Sequence, residues 1–344
     1  MHPFPGDAPG PAAVLCGFGG WVPEREVTNA ELADRLDTSD EWIRQRTGIT
    51  SRHVIAPGGA TSDLAVAAGR RALGAAGTRT VDTVVLATST PDHISPATAP
   101  DVASRLGLHE AAAFDVGAVC SGFVYGLAVA TSLIRAGIGG SVLLIGADTY
   151  TTVVDPGDRT TAILFGDGAG AVVLRAGAPG EPGETGPFDL GSDGTLKHLI
   201  LVPNGGSRQR SSDALPPAGH DRSGDYVRLN GGEVFKHAVR RMSGSALAVL
   251  DLAGWPPDKL GWLVPHQANQ RIAAAVAHRL GIAEDRVLSN IARVGNTAGA
   301  SIPLLLAEAW EQRLLTEGDR VVLTAFGADL TWGSAAITWP AAHP

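Results

Sequence analysis

The chain has 344 residues, 44% of them apolar, and a formal net charge of −8. That much apolar material fills two domains or one large fused core, and the acidic balance excludes nucleic acid as the main partner, because phosphate binding needs a basic surface. Two cysteines, Cys16 and Cys120, make no disulfide framework and suit a reducing cytoplasm, and neither a signal-peptide pattern nor a run of about 18 apolar residues points to secretion or a membrane.

In chain order, residues 1–12 are rich in Pro, Gly and Ala and read as a flexible N-terminus. Val14-Leu15-Cys16-Gly17 is an apolar run in which Cys16 is a small core residue. Asp82–Ala87 reads as a strand, followed by a helix ending at Leu106-Gly107 and a short strand, Ala113–Val116. At Val119-Cys120-Ser121 that strand gives way to a long apolar helix reaching about Ala136, and Val142–Asp148 follows as a strand. Residues 13–175 thus form an N-terminal half, and 176–224 a loop-rich connection. Within that connection Gly177–Gly183 is a surface excursion, and 204–224 is either a lid or a disordered insertion. Residues 225–344 then repeat the first order. They hold a strand at Gly261–Pro265, a helix ending at Leu280 and a polar turn at Gly295-Asn296-Thr297. An apolar helix to about Ala309 and a strand at Leu323–Asp329 complete it.

Corresponding points in the two halves lie 174 residues apart at Leu106 and Leu280, and 181 apart at Asp148 and Asp329. This argues for a duplicated α/β unit, each half a mostly parallel sheet covered by helices. The helices after Cys120 and Asn296 carry few charges and belong in the centre. On this repeat Cys120 and Asn296 are counterparts, brought together by a pseudo-dyad.

A thiol at a helix N-terminus meets unpaired N–H groups and a positive dipole end, which favour the nucleophilic thiolate. Val264-Pro265-His266-Gln267-Ala268-Asn269 and Gly295-Asn296-Thr297 supply a histidine and an asparagine. Taken singly, Cys120 would serve as an inert core residue, His266 as a partner for a backbone carbonyl and Asn296 as a cap. Taken together, they suggest covalent catalysis assembled by the fold. The glycine-rich run Phe165–Gly170 lacks the Lys-Ser/Thr ending of a phosphate loop and reads as a structural turn.

These segments, with Asp37–Ile43, Arg46-Thr47-Gly48-Ile49, Phe165–Gly170 and Thr331-Trp332-Gly333-Ser334, resemble β-ketoacyl-[acyl-carrier-protein] synthase III of the thiolase superfamily over about residues 13–340. The resemblance implies a thiolase-like fold layered α-β-α-β-α. It implies a decarboxylative Claisen condensation of an acyl-CoA starter with malonyl-ACP, through an acyl-Cys120 intermediate. His266 and Asn296 would stabilise the enolate, and the backbone N–H groups of Cys120 and Ala328 would hold the acyl carbonyl. It places Thr38, Trp42, Arg46, Arg159 and Arg271 around CoA, with Phe235 and Asn269 along the pantetheine channel. Arg240 and Arg241 are candidates for docking acyl carrier protein. No cofactor or metal is implied beyond the two substrates. A homodimer is expected, the Pro91–Ser95 loop completing the partner's tunnel. His53, His93 and His237 are surface or packing residues.

The chain also departs from the family. Ser121 stands where alanine is usual, Gly232 where asparagine is usual, and Ala328-Asp329 where glycines are usual. These differences suggest a starter-unit enzyme of polyketide or related metabolism. A carboxylate at Asp329 would raise a nearby thiol's pKa or orient His266. It also keeps open acyl transfer to a hydroxyl, amine or carrier thiol without condensation. A non-catalytic, tunnel-shaping subunit is a third reading, against which the intact Cys120 argues.

Overall fold

The computed structural model describes residues 10–211 and 222–341. The N-terminal sheet contains β1 (Ala12–Trp21), β2 (Thr83–Ala87), β3 (Ala112–Val116), β4 (Ser141–Asp148) and β5 (Gly168–Gly177), in the order β1-β5-β4-β2-β3. The second contains β6 (Thr185–Ser192), β7 (Trp262–Pro265), β8 (Arg320–Phe326) and β9 (Thr331–Thr338), in the order β7-β8-β9-β6. Most of β2, β4 and β8 is buried, as expected of strands covered on both faces.

The helices that matter here are α1 (Asp40–Thr47), α2 (Thr61–Ala75), α3 (Ala99–Arg105), α4 (Gly122–Arg135), α5 (Gly231–Leu252), α6 (Gln270–Leu280) and α7 (Ser301–Glu311). Helices α2 and α3 pack on the outer face of the first sheet. Helices α5 and α6 cover the second. The apolar helices α4 and α7 lie between the sheets, where Phe123, Leu127 and Ile134 meet Ile302, Leu305 and Leu306 in one continuous core. This is the expected five-layer α/β arrangement.

Three sequence-based expectations about the strands and their connections change. The sheets are mixed rather than mostly parallel. Parallel pairing is confined to β2 with β3 and β4 and to β7 with β8, while β1, β5, β6 and β9 pair antiparallel. The connection between halves is also shorter than 176–224, because β6 already belongs to the second sheet, paired with β9. Its Gly186-Pro187 interrupts the strand pattern, which suits an edge position. Finally, the strand expected to reach Asp329 stops at Phe326, and Gly327–Leu330 is a turn. Residues 1–9 of the expected flexible end lie outside the described residues, and Ala12 already opens β1. Residues 212–221 also lie outside them, so the lid-or-insertion alternative is not decided there; the base of that loop is closed by the Asn204 N–H donating to Gly224 O at 2.9 Å.

The duplication is clearest in the strand register. Thr83 pairs with Val142 and Trp262 with Val321, so both positions are displaced by 179 residues (262 − 83 and 321 − 142). The same displacement relates Val119, at φ 43°, to Ala298, at φ 48°. Each is a non-glycine residue in the left-handed region, immediately before a central helix. The counterpart of Cys120 is therefore Gly299, not Asn296. The spacing misled because Ala113 corresponds to Val287 through equivalent parallel pairings, at an offset of 174. Five extra residues then fall between Val287 and Ala298. They accommodate the short helix Ile291–Val294 and the Gly295-Asn296 turn, which the first half lacks.

Close approach between β5 and α7 depends on Gly170. A Cβ there would lie 2.2 Å from Leu304 N and 2.3 Å from Pro303 C, both backbone atoms. Gly170→Ala should therefore destabilise the protein by about 2 kcal/mol or more, read as a lower urea midpoint at unchanged m-value.

Candidate active site

Cys120 sits in the single helical turn Val119–Ser121 that leads into α4. The left-handed Val119 is strained for a β-branched residue. The backbone N–H groups of Cys120 and Ala328 face its half-buried sulfur. The expected thiolate stabilisation is outweighed: burial, then the Asp148 and Asp329 carboxylates, push the thiol's pKa well up, against the pull of those two N–H groups. Cys120 thus rests as a thiol. Cys16, the other free cysteine, is a buried core residue whose thiol donates to Val173 O at 3.5 Å.

His266 follows β7, and its backbone N–H donates to Thr324 O of β8 at 2.8 Å. Its ring is 2% exposed, and burial lowers its pKa to about 3, so it is neutral across the physiological range. Nδ1 lies 2.8 Å from Ser301 Oγ, which also accepts the Gln267 N–H at 2.9 Å. With Oγ–H given to Nδ1, the ring carries its proton on Nε2.

Asn296 is fixed by its backbone and its side chain. Its N–H donates to Leu164 O at 2.9 Å, and its carbonyl accepts the Gly166 N–H at 3.0 Å. Its Oδ1 accepts the Ala298 N–H at 3.0 Å, which leaves the Nδ2 hydrogens for the cavity that Asn296 lines. The Gly166 region is accordingly a structural turn. Asp167 is buried there and accepts from Ile55 N and Thr151 N and Oγ1.

Cys120, His266, Asn296 and Ala328 line one cavity of about 130 Å³, together with Phe235 and Asn269. A second, open cavity of about 860 Å³ reaches the other side of the nucleophile turn, along Val119, Tyr150, Ala328 and Asp329. One thiol, two uncharged N–H donors and two backbone N–H groups thus surround a channel suited to thioester chemistry.

Residues 114–194 match the family described as 3-oxoacyl-[acyl-carrier-protein (ACP)] synthase III, and residues 250–339 match its C-terminal part. Beta-ketoacyl-[acyl-carrier-protein] synthase III 5 of Streptomyces coelicolor is 57% identical over 329 residues, 96% of this chain and 98% of that protein. The chain belongs to the β-ketoacyl-[acyl-carrier-protein] synthase III family. The crystal structure of 3-oxoacyl-(acyl carrier protein) synthase III from Pseudomonas aeruginosa aligns at a TM-score of 0.90 with 51% identity, covering 97% of this chain and 100% of that one. The priming beta-ketosynthase of the R1128 polyketide biosynthetic pathway aligns at 0.89 with 32% identity, covering 98% and 100%.

The remaining residues that the synthase III resemblance singled out lie outside the 130 Å³ cavity. Two guanidinium groups approach the Trp42 ring, Arg159 at 5.1 Å and Arg46 at 5.7 Å from its centre. Arg159 also donates to the Asp37 carbonyl at 2.7 Å. Glu41, on the same helix, accepts from Gln45 Nε2 at 2.9 Å. Thr38 Oγ1 is buried without a hydrogen-bond partner. Asn269 caps α6 through Arg271 N and donates to Arg46 O at 3.0 Å, tying the arginine-bearing α1 to the channel. Arg271 lies 5.9 Å from the Phe235 ring. Arg241 is occupied by Asp193 and by the Trp332 ring, and Arg240 by His237, so this basic pair is partly tied up. His53 accepts a packing role, with Nδ1 2.7 Å from Pro23 O.

Two further residues carry no sequence signal. Ser301 orients His266. Asp148 is fully buried and accepts from the N–H groups of Ser89 and Thr90 and, through Oδ2, from Gly299 N at 2.8 Å. Burial raises its pKa to about 6 against those donors.

Proposed function

We propose that this chain condenses an acyl-CoA starter with malonyl-ACP, with carbon dioxide loss, to give 3-oxoacyl-ACP. The supporting observation is the convergence of two uncharged donors, His266 and Asn296, on the cavity that holds the Cys120 thiol. In the first half-reaction the Cys120 sulfur attacks the thioester carbon, and its oxygen gathers charge between the N–H groups of Cys120 and Ala328. The carbon–sulfur bond to CoA then breaks, and CoA leaves as a thiol, carrying in net terms the proton lost by Cys120. In the second, carbon dioxide leaves malonyl-ACP and its bonding electrons move onto the thioester oxygen. His266 Nε2–H and Asn296 Nδ2–H stabilise that enolate, each donor worth about 3 kcal/mol in comparable sites. The enolate carbon attacks the acyl-Cys120 carbonyl, and the sulfur leaves and takes up one proton from solvent, the proton consumed in each turnover.

Trp42, Arg46, Arg159 and Arg271, with Thr38 beside them, form the CoA face in this reading; guanidinium groups pair with phosphate and the indole stacks on adenine. Phe235 and Asn269 flank the pantetheine. The acyl chain extends into the open 860 Å³ cavity, which a second copy completes through its Pro91–Ser95 loop; Ile94 of that loop is exposed in the single chain. Two free thiols suit a reducing cytoplasm.

Incubation with acyl-CoA and malonyl-ACP tests the reaction. The expected result is an acyl adduct on Cys120, carbon dioxide release and a 3-oxoacyl product. Intact transfer of the acyl group without carbon dioxide would establish the acyltransferase alternative instead. Ser301→Ala should slow decarboxylation about tenfold with adduct formation retained, because neutral His266 would lose the partner that keeps its proton on Nε2.

A further inference from the structure

The two departures singled out at Ser121 and Asp329 meet in one hydrogen-bond network. Asp329 Oδ1 accepts from Thr331 Oγ1 at 2.6 Å and from Thr331 N at 3.3 Å. Thr331 Oγ1 is in turn in short contact with Ser121 Oγ, which also reaches Ala118 O at 2.8 Å. Thr331 Oγ1 lies 3.2 Å from that same carbonyl. Each hydroxyl has one proton. The charge-assisted bond to Asp329 takes that of Thr331, so the single proton of Ser121 is shared between Thr331 Oγ1 and Ala118 O, and the network runs from Ala118 and Ser121 through Thr331 to Asp329.

Its two ends hold the two parts of the oxyanion site. Ser121 and Ala118 flank the strained Val119 and Cys120. Asp329 and Thr331 belong to the turn that carries Ala328, closed by Gly327 N–H to Thr331 O at 2.8 Å. Gly327 leaves room for the junction. A Cβ there would meet Ala118 O and Thr331 Oγ1 at 2.8 Å and Asp329 Oδ1 at 3.0 Å.

We propose that Ser121, Thr331 and Asp329 form a polar latch that locks the Ala328 turn onto the nucleophile turn and thereby aims the two backbone N–H groups at the acyl oxygen. These three are positioning residues, and their catalytic effect rests on the acyl-Cys120 reading above. The carboxylate's side chain is anchored through Thr331, and the backbone N–H of Ala328 remains the group at the sulfur. Asp329 also has a second, separable effect, since its charge opposes ionisation of Cys120.

Three measurements separate these effects: single-turnover acylation of Cys120 by acyl-CoA, alkylation of Cys120 by iodoacetamide across pH, and hydrogen exchange at the Ala328 amide. Alkylation needs the thiolate, which burial and the two carboxylates govern more than the N–H groups do, and it develops no charge on an acyl oxygen. Thr331→Val should slow acylation about 10- to 100-fold at little cost in KM, less than complete loss of an oxyanion donor. Its alkylation profile should shift only slightly to higher pH, because the Ala328 N–H is the smallest of the influences on the thiol, and its Ala328 amide should exchange faster. Asp329→Ala should move the two reactions in opposite directions, with slower acylation and faster alkylation near pH 8. Asp329→Asn, which can still accept from Thr331 but carries no charge, should regain most of the acylation lost in Asp329→Ala while keeping the faster alkylation.

The latch is overturned if Asp329→Ala acylates as fast as the unchanged chain, or if Thr331→Val alters neither acylation nor Ala328 exchange. Should Thr331→Val fail to fold, the Asp329→Ala and Asp329→Asn pair carries the test. If no acyl-CoA acylates even the unchanged chain, the catalytic reading fails on its own, and exchange at Ala328 still decides whether the latch exists.

Discussion

His266→Ala and Asn296→Ala should each lower carbon dioxide release from malonyl-ACP by about 100- to 1,000-fold while still forming the acyl adduct on Cys120. The asymmetry follows from where charge develops. On the proposed mechanism acylation places charge on the acyl oxygen, held by the backbone N–H groups of Cys120 and Ala328, and neither substitution removes those. On the same mechanism decarboxylation places it on the malonyl thioester oxygen, which would depend on His266 Nε2 and Asn296 Nδ2. Neither donor is charged: His266 is held neutral by burial, and Asn296 has its oxygen occupied by Ala298. The double variant should lose less than the product of the single losses, since both donors serve one oxygen. Adduct mass and released carbon dioxide, measured on the same samples, check this. Equal loss of both would show that His266 or Asn296 acts in the acylation step, and the division of labour would be wrong.

The three central residues were legible in the sequence because each stands in a short segment with its own context. Their geometric relation was less so. Cys120 and Asn296 follow similar polar turns, but five residues inserted after Val287 shift the repeat, and only the strand register and the paired left-handed residues Val119 and Ala298 reveal it. The supporting residues were invisible for a different reason. A serine opening a helix, such as Ser301, and an aspartate ending a strand, such as Asp148, are common locally; what distinguishes them is a partner far along the chain. The state of Cys120 was misjudged for a related reason. The local dipole is readable, and so was the upward push of Asp329, whereas burial and the approach of Asp148 come from the tertiary structure. Strand β6 was hidden by its own Gly-Pro step, which an edge tolerates.

Acid should leave the protein's stability nearly level from about pH 6 to about pH 4 and then reduce it steeply, because His266 and Asp148 oppose one another. Burial lowers His266 from 6.5 to about 3. In that window the unfolded chain binds the extra proton, so His266 contributes stability that is present above its unfolded value and lost as pH falls, on the order of 5 kcal/mol in full. Burial raises Asp148 from 3.8 to about 6. There the folded chain binds the extra proton, so its contribution is present below the unfolded value and lost as pH rises, on the order of 3 kcal/mol. Between the two Asp148 values the slopes have equal size and opposite sign. Buried Asp167, also raised, adds to the Asp148 side. Removing the histidine should expose the aspartate: His266→Ala should gain stability as pH falls from 6 towards 4, where the unchanged chain stays level. Urea unfolding midpoints across pH 3 to 7, compared at constant ionic strength, measure both slopes. A His266→Ala profile parallel to that of the unchanged chain would mean that His266 does not remain neutral in the folded protein, and its role as an uncharged donor would fall with it.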